Sequence, residues 1–278
     1  MYRFCFPLLF ATCLPSAHAD EAISPPRDPA YRLVWADEFN QNGPPDPTKW
    51  KSEEGFTRNQ ELQWYQAANS KCENGLLVIE ARKDRVRNPR FEKDSPDWKK
   101  NRRTAEYSSG SLVTTGSQNQ WHFGRAEIRA RFNALPGLWP AIWTTGRGRW
   151  PHGGEVDLME FYNGKILANW VWAGKGGKDH WNSSSHPIEK FGKDSWDDQF
   201  HLWVCEWDHE TMTIYLDGKL LNTQSMKTAI NQDGPAINPF LGPQNFRLNL
   251  AIGANGGDPS KTRFPQRFEV DYVRTFQK

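Results

Sequence analysis

Almost nowhere does this chain sustain a helical hydrophobic period beyond about ten residues. Short alternating runs, punctuated by Gly, Pro and Asn, take its place. After the Asn74-Gly75 turn, Leu77, Ile79 and Ala81 alternate with Leu76, Val78 and Glu80 over residues 76–82. Residues 110–115, 124–132, 141–145, 154–162, 200–208, 211–216, 246–253 and 268–276 read the same way. Asp208-His209-Glu210 separates two such runs as a hairpin signal, and Asp217-Gly218 marks the next turn. A strand presents opposite faces to successive side chains, so each run needs a second layer to cover its apolar face. The expectation is an all-β chain folded as a β-sandwich. Long loops are expected at 83–105 and 174–198. Neither a repeat nor a linker-like tract breaks the pattern, so residues 20–278 are read as one domain.

One of these runs carries three acids: Glu155-Val156-Asp157-Leu158-Met159-Glu160, after Gly153-Gly154. On a helix at about 100° per residue the acids point near about 0°, 200° and 140° and share no face. On a regular strand Glu155 and Asp157 share a face and Glu160 opposes them. One extra residue at Leu158-Met159, a β-bulge, brings Glu160 round to join them. Two acids flanking a scissile bond are what glycoside hydrolysis requires, at roughly 5–5.5 Å in retaining enzymes. An acid between them drives the two glutamate pKa values apart. The competing reading is an acidic strand facing solvent.

The chain begins with Met1-Tyr2-Arg3, a short apolar run at 4–14 and Ala17-His18-Ala19, the pattern of a signal peptide over residues 1–19. Cys13 follows Phe10-Ala11-Thr12, a poor lipoprotein match, so the protein is read as secreted or periplasmic and not lipid-anchored. No run reaches the ~18 apolar residues of a membrane span. Removal of the signal leaves Cys72 and Cys205. One disulfide and two free thiols both remain open, the apolar strand around Cys205 favouring a buried thiol. A formal charge of +2 argues against a nucleic-acid partner. The chain is read as a monomer. Its 14 Trp exceed what a core of this size calls for and suit stacking on sugar faces. Ten Lys and Arg at 82–103 are diluted by Asp84, Glu92, Asp94 and Asp97, and read as a solvated insertion.

Trp139-Pro140-Ala141-Ile142-Trp143, Trp150-Pro151, Gly153-Gly154 and the acid run resemble the signature of glycoside hydrolase family 16. Trp35-Ala36-Asp37-Glu38-Phe39 and residues 58–65 resemble its laminarinase-like branch, and residues 248–253 and 269–274 its closing strands. The resemblance implies a β-jelly-roll sandwich of two antiparallel sheets with a concave substrate cleft. It implies a retaining double displacement on a β-linked polysaccharide, with Glu155 as nucleophile, Glu160 as acid then base, and Asp157 assisting. It implies that Arg58, Asn59 and Glu61 reach the non-reducing-side subsites, the competing reading being a loop held by an Arg58–Glu61 ion pair. Trp143, then Trp139 and Trp150, are expected to stack on sugars, and Trp172 to line the leaving-group side or fill the core. The reaction needs no cofactor. A structural calcium ion is implied on the convex face, held by Asp271 with backbone oxygens near Glu38 and Gly75. Two positions depart from the family pattern: Ser111 replaces an Arg, and residues 168–172 lack the usual His, touching substrate choice rather than chemistry.

The leading reading is an endo-acting β-1,3-glucan hydrolase. A galactan hydrolase of the same fold is the runner-up. A non-catalytic glucan-binding module and a metal site built from the three acids with His152 are the readings from other classes.

Overall fold

The computed structural model describes residues 26–192 and 196–278; the expected signal segment 1–19 lies outside them. The first strands are β1 (Arg32–Asp37), β2 (Trp50–Ser52), β3 (Gln63–Tyr65), β4 (Ser70–Glu73), β5 (Leu76–Ala81), β6 (Val86–Arg87) and β7 (Thr104–Ala105). Next come β8 (Tyr107–Ser109), β9 (Ser111–Thr114), β10 (Gly124–Phe132), β11 (Leu138–Gly146), β12 (Glu155–Tyr162) and β13 (Lys165–Ala173). The last are β14 (Asp179–Pro187), β15 (His201–Trp207), β16 (Thr211–Leu216), β17 (Lys219–Ser225), β18 (Gln244–Ile252) and β19 (Gln266–Gln277). Two large antiparallel sheets result. The back sheet runs β17-β16-β15-β10-β19-β5-β4, with β1 also on β19, and the cleft sheet runs β14-β13-β12-β11-β18-β9-β2.

Alternation explains the layering. Ile142, Val156, Trp170, Phe246, Leu248 and Leu250 of the cleft sheet meet Leu77, Ile128, Trp203, Ile214 and Phe268 of the back sheet in one shared core. Hairpin turns fix the registers. Asn163-Gly164 has φ of 51° and 70°, the left-handed pair a type I′ turn needs, and closes Tyr162 onto Lys165. Asn74-Gly75 does the same between β4 and β5. Cys72 and Cys205 are both buried free thiols.

Both expected long loops contain order. Residues 83–105 hold the β6–β7 pair and the short helix α1 (Trp98–Asn101), and residues 174–198 hold β14. Strand β14 reads Asp-His-Trp-Asn-Ser-Ser-Ser-His-Pro, too polar to show a sequence period, because it is an edge strand paired on one side only. Strand β13, with eight consecutive buried residues, also lacks the alternation that marks half-exposed strands. Among the described residues no helix is long and apolar enough to cross a membrane.

Candidate active site

Strand β12 lies mid-sheet between β11 and β13. Against β11 it pairs Thr145 with Glu155 and Trp143 with Asp157, then shifts to Ile142 with Met159 and Ala141 with Glu160. Against β13 it pairs Asp157 with Asn169 and Glu160 with Leu167, leaving Leu158 and Met159 over one facing residue. Both are fully buried in the core. Two successive inward side chains are the bulge expected from the sequence, and they return Glu160 to the face of Glu155 and Asp157. The three acids line a cleft of about 760 Å³.

Each acid has its own donors. Trp150 Nε1 donates to Glu155 Oε2 at 3.0 Å, and Trp139 Nε1 to Glu160 Oε1 at 2.8 Å. Asn169 Nδ2 donates to Asp157 Oδ2 and to Glu160 Oε2, both at 3.1 Å. Asp157 is in hydrogen-bond contact with both glutamates. Burial pushes the Glu155 carboxyl up to about 7, the Glu160 charge adds to that, and the Trp150 hydrogen bond opposes it. Burial raises Asp157 and Glu160 well above the carboxylate range, reinforced by Glu155 at Asp157 and by Asp157 at Glu160. Three clustered carboxyls cannot all ionise, and Glu155 yields its proton first. Near neutrality the arrangement offers one nucleophilic carboxylate beside a protonated acid.

Glu53, which no sequence motif singled out, anchors the neighbouring wall. It accepts hydrogen bonds from Arg58 Nη2, from Arg247 Nη1 at 3.0 Å and from Ser111 Oγ at 2.6 Å. Burial raises its pKa, but the two guanidiniums outweigh that and hold it at about 2. Arg58 thus pairs with Glu53, and the alternative Arg58–Glu61 ion pair is not formed. Glu61 instead accepts from Gln63 at 2.7 Å and from Asn59 at 3.2 Å. Arg58, Asn59 and Glu61 all border the cleft. Behind them, Arg102 of the 83–105 insertion donates to the Glu61 carbonyl at 2.8 Å, and Trp98 packs on Phe56. The basic insertion buttresses a cleft wall.

A family model described as "Glycosyl hydrolases family 16" matches residues 57–274. The chain belongs to glycosyl hydrolase family 16. A "Beta-glucanase" of Rhodothermus marinus is 31% identical, the match covering 97% of this chain and 91% of that one. A laminarinase catalytic domain, an endo-1,3-beta-glucanase of Thermotoga petrophila RKU-1, superposes with TM-score 0.72 at 31% identity, covering 89% of this chain and 98% of that one. A structure from work on endo-acting O-glycanases, which prominent members of the human gut microbiota express to initiate mucin breakdown, has TM-score 0.80 at 34% identity. That match covers 91% of this chain and 94% of the other.

Within the family 16 scaffold, the expected aromatic residues divide. Trp150 is 49% exposed and offers an open ring. Trp143 borders the cleft with its indole N–H on Asn249 Oδ1 at 2.7 Å and the Arg58 and Arg247 guanidiniums about 5 Å from its ring. Trp139 is nearly buried, its N–H committed to Glu160. Trp172 is a core residue, 3% exposed against Phe240 and His180, because it lies an odd number of residues from Asn169 and so faces the opposite side. Trp181 on β14, unnoticed in the sequence, is exposed and lines the cleft. Arg247 and Asn249 could have been found as polar residues alternating with Phe246, Leu248 and Leu250.

The calcium set is not supported. Strand registers bring the segments around Glu38, Gly75 and Asp271 to neighbouring positions. Yet Arg129 Nη1 sits 2.7 Å from Asp271 Oδ2, and Arg274 takes both oxygens of Glu38. Asp271, the one carboxylate in the expected set, is thus already paired with a guanidinium, which counts against a divalent ion there. The metal alternative at the acid trio fails as well. His152 Nε2 lies 3.3 Å from Asp233, and among the described residues no group of three or more His, Cys, Asp or Glu is placed to hold a metal ion.

Proposed function

We propose that this family 16 protein is an endo-acting hydrolase that cuts β-1,3-linkages in laminarin-type glucan by double displacement. The observation that carries the reading is the bulged strand, which sets Glu155, Asp157 and Glu160 on one cleft face with graded proton affinities. Glu155 attacks the anomeric carbon as the glycosidic C–O bond breaks, and Glu160 gives its proton to the departing oxygen. Water then attacks the glycosyl-enzyme. Glu160 takes a proton from that water, and Glu155 leaves as carboxylate. The cleft, about 760 Å³ and flanked by exposed Trp150 and Trp181, suits an internal stretch of chain. The glucanases of Rhodothermus and Thermotoga support the glucan assignment.

A second reading, endo-hydrolysis of a glycan other than glucan such as a mucin O-glycan, is favoured by the TM-score of 0.80 to the endo-acting O-glycanase work. Ser111 and the 168–172 segment depart from the family pattern; Ser111 supports the cleft wall through Glu53, and Asn169 of that segment borders the cleft. Reducing-sugar release from laminarin, lichenan, agar, carrageenan and mucin O-glycans decides between them. Release from laminarin is expected. Release only from a galactan or an O-glycan overturns the glucan assignment, and binding without release on every member overturns the enzyme. We also infer that residues 20–278 form one exported catalytic domain after loss of 1–19, which N-terminal sequencing of the exported protein tests.

A further inference from the structure

The acid trio has a fourth member that is not an acid. We propose that Asn169 is the positioning residue of the leaving-group side: its amide nitrogen ties Glu160 to Asp157 and holds the acid in line with the departing oxygen. The proposal rests on the double-displacement reading above.

The geometry is specific. Asn169 stands directly across from Asp157 in the β12–β13 register, and the Asn163-Gly164 turn sets that register. Its amide carries two protons and spends them on the two acids, Asp157 Oδ2 and Glu160 Oε2, at 3.1 Å each. The residue is 3% exposed, so water competes poorly for either bond. Glu160 is then held at both oxygens, by Trp139 on one and Asn169 on the other, and its carboxyl plane cannot turn away from the cleft. The amide oxygen, by contrast, is buried and has no protein partner, although Asn169 borders the cleft. The opposite amide orientation would set that oxygen against the two acids and strand the NH₂ group instead. Leaving that acceptor unpaired is a cost the site carries to keep both N–H groups on the acids.

The chemistry gives the amide a reason. Once Glu160 has passed its proton to the leaving oxygen, the Asp157–Glu160 pair gains a negative charge. The two N–H groups already aimed at it strengthen as that charge develops. Asn169 adds no proton of its own and acts on the pH response only through the acid it holds, whose pKa its N–H lowers.

The test compares two substrates built on the oligosaccharide of whichever panel polysaccharide the wild type cleaves. One keeps its sugar leaving group. The other carries 2,4-dinitrophenolate, which departs without a proton. For Asn169→Ala, kcat/KM on the sugar-leaving substrate is expected to fall about 100-fold, and on the dinitrophenyl substrate by less than about fivefold. The alkaline limb of the profile, which reports the acid, is expected to move upward as its N–H donor is lost. Asn169→Asp, nearly isosteric, repeats the comparison should the alanine variant fold poorly, with the same leaving-group contrast expected. Equal losses on both substrates, or no loss on either, overturn the proposal. A wild type that cleaves nothing, with Glu155→Gln binding glycan as well as wild type does, overturns the double-displacement reading and this proposal with it.

Discussion

Trp150 and Glu155 share one hydrogen bond across the cleft mouth, Nε1 to Oε2 at 3.0 Å, while nearly half of the Trp150 surface stays open to solvent. The same side chain therefore steadies the proposed nucleophile and offers a platform to a sugar ring. Burial raises the Glu155 pKa and Trp150 restrains that rise.

Separating these two roles gives the first prediction. Trp150→Phe keeps a ring and deletes the donor. The acid limb of kcat/KM, set by ionisation of Glu155, is expected to move up by about half to one unit. Trp150→Ala is expected to raise KM by up to about tenfold in addition, through loss of the ring. A pH–rate series on both variants reads the difference. An unmoved acid limb in Trp150→Phe contradicts the role of the bond.

Glu155→Gln is expected to lower kcat at least about a thousandfold while the glycan still binds. Its stability effect has a definite sign. The folded pKa of Glu155, about 7, exceeds its ordinary value of 4.5. Between those values the folded state binds more protons than the unfolded one, so stability falls as pH rises through that window. Glutamine removes the ionisation. The variant is therefore expected to gain about 1–3 kcal/mol over wild type above pH 7 and little at pH 4. Chemical denaturation at both pH values measures it.

Much of this was legible from the acid strand, for a reason that can be stated. A strand has only two faces, so three acids in six residues leave few geometries, and core demands on Leu158 and Met159 select the bulge. What the sequence concealed lay where polarity and position part company. Arg125 and Glu127 look like a solvent-facing pair, yet both are fully buried and ion-paired in the back sheet. Glu53 lies far from the acid strand in sequence and enters the cleft only because β2 pairs with β9 and β9 with β18. For Trp172 the leaving-group side and the core are equally open in the sequence, and strand alternation selects the core.

Removing Glu53 should expose how much the cleft wall depends on it. Glu53→Gln leaves Arg58 and Arg247 facing each other without their shared anion. Each of the three is about a fifth exposed, so a loss of about 2–3 kcal/mol is expected rather than the full cost for a dry site. With its pKa held at about 2, Glu53 contributes fully above its ordinary value of 4.5, and that contribution is lost as pH falls through about 2. The gap between wild type and variant should therefore narrow on acidification, which urea titrations from pH 6 to pH 2.5 follow.

Trp172→Ala is expected to cost about 3–5 kcal/mol of stability while leaving KM unchanged in the surviving folded protein. A raised KM with intact stability would return Trp172 to the cleft.

Calcium and chelator are both expected to shift Tm by less than about 1 °C, since a ligand stabilises only a state that binds it. A rise of several degrees with calcium would mean that Asp271 exchanges Arg129 for the ion.

The bulge at Leu158-Met159 also decides what can go wrong. Were the strand an unbroken pleat, Glu160 would enter the apolar interior and a core methionine would face the cleft, at a cost of several kcal/mol for the buried acid. A copy that misses the bulge therefore fails to assemble its sandwich instead of persisting as a folded but inert impostor. Competence to react and competence to fold are tested by the same single residue of slack.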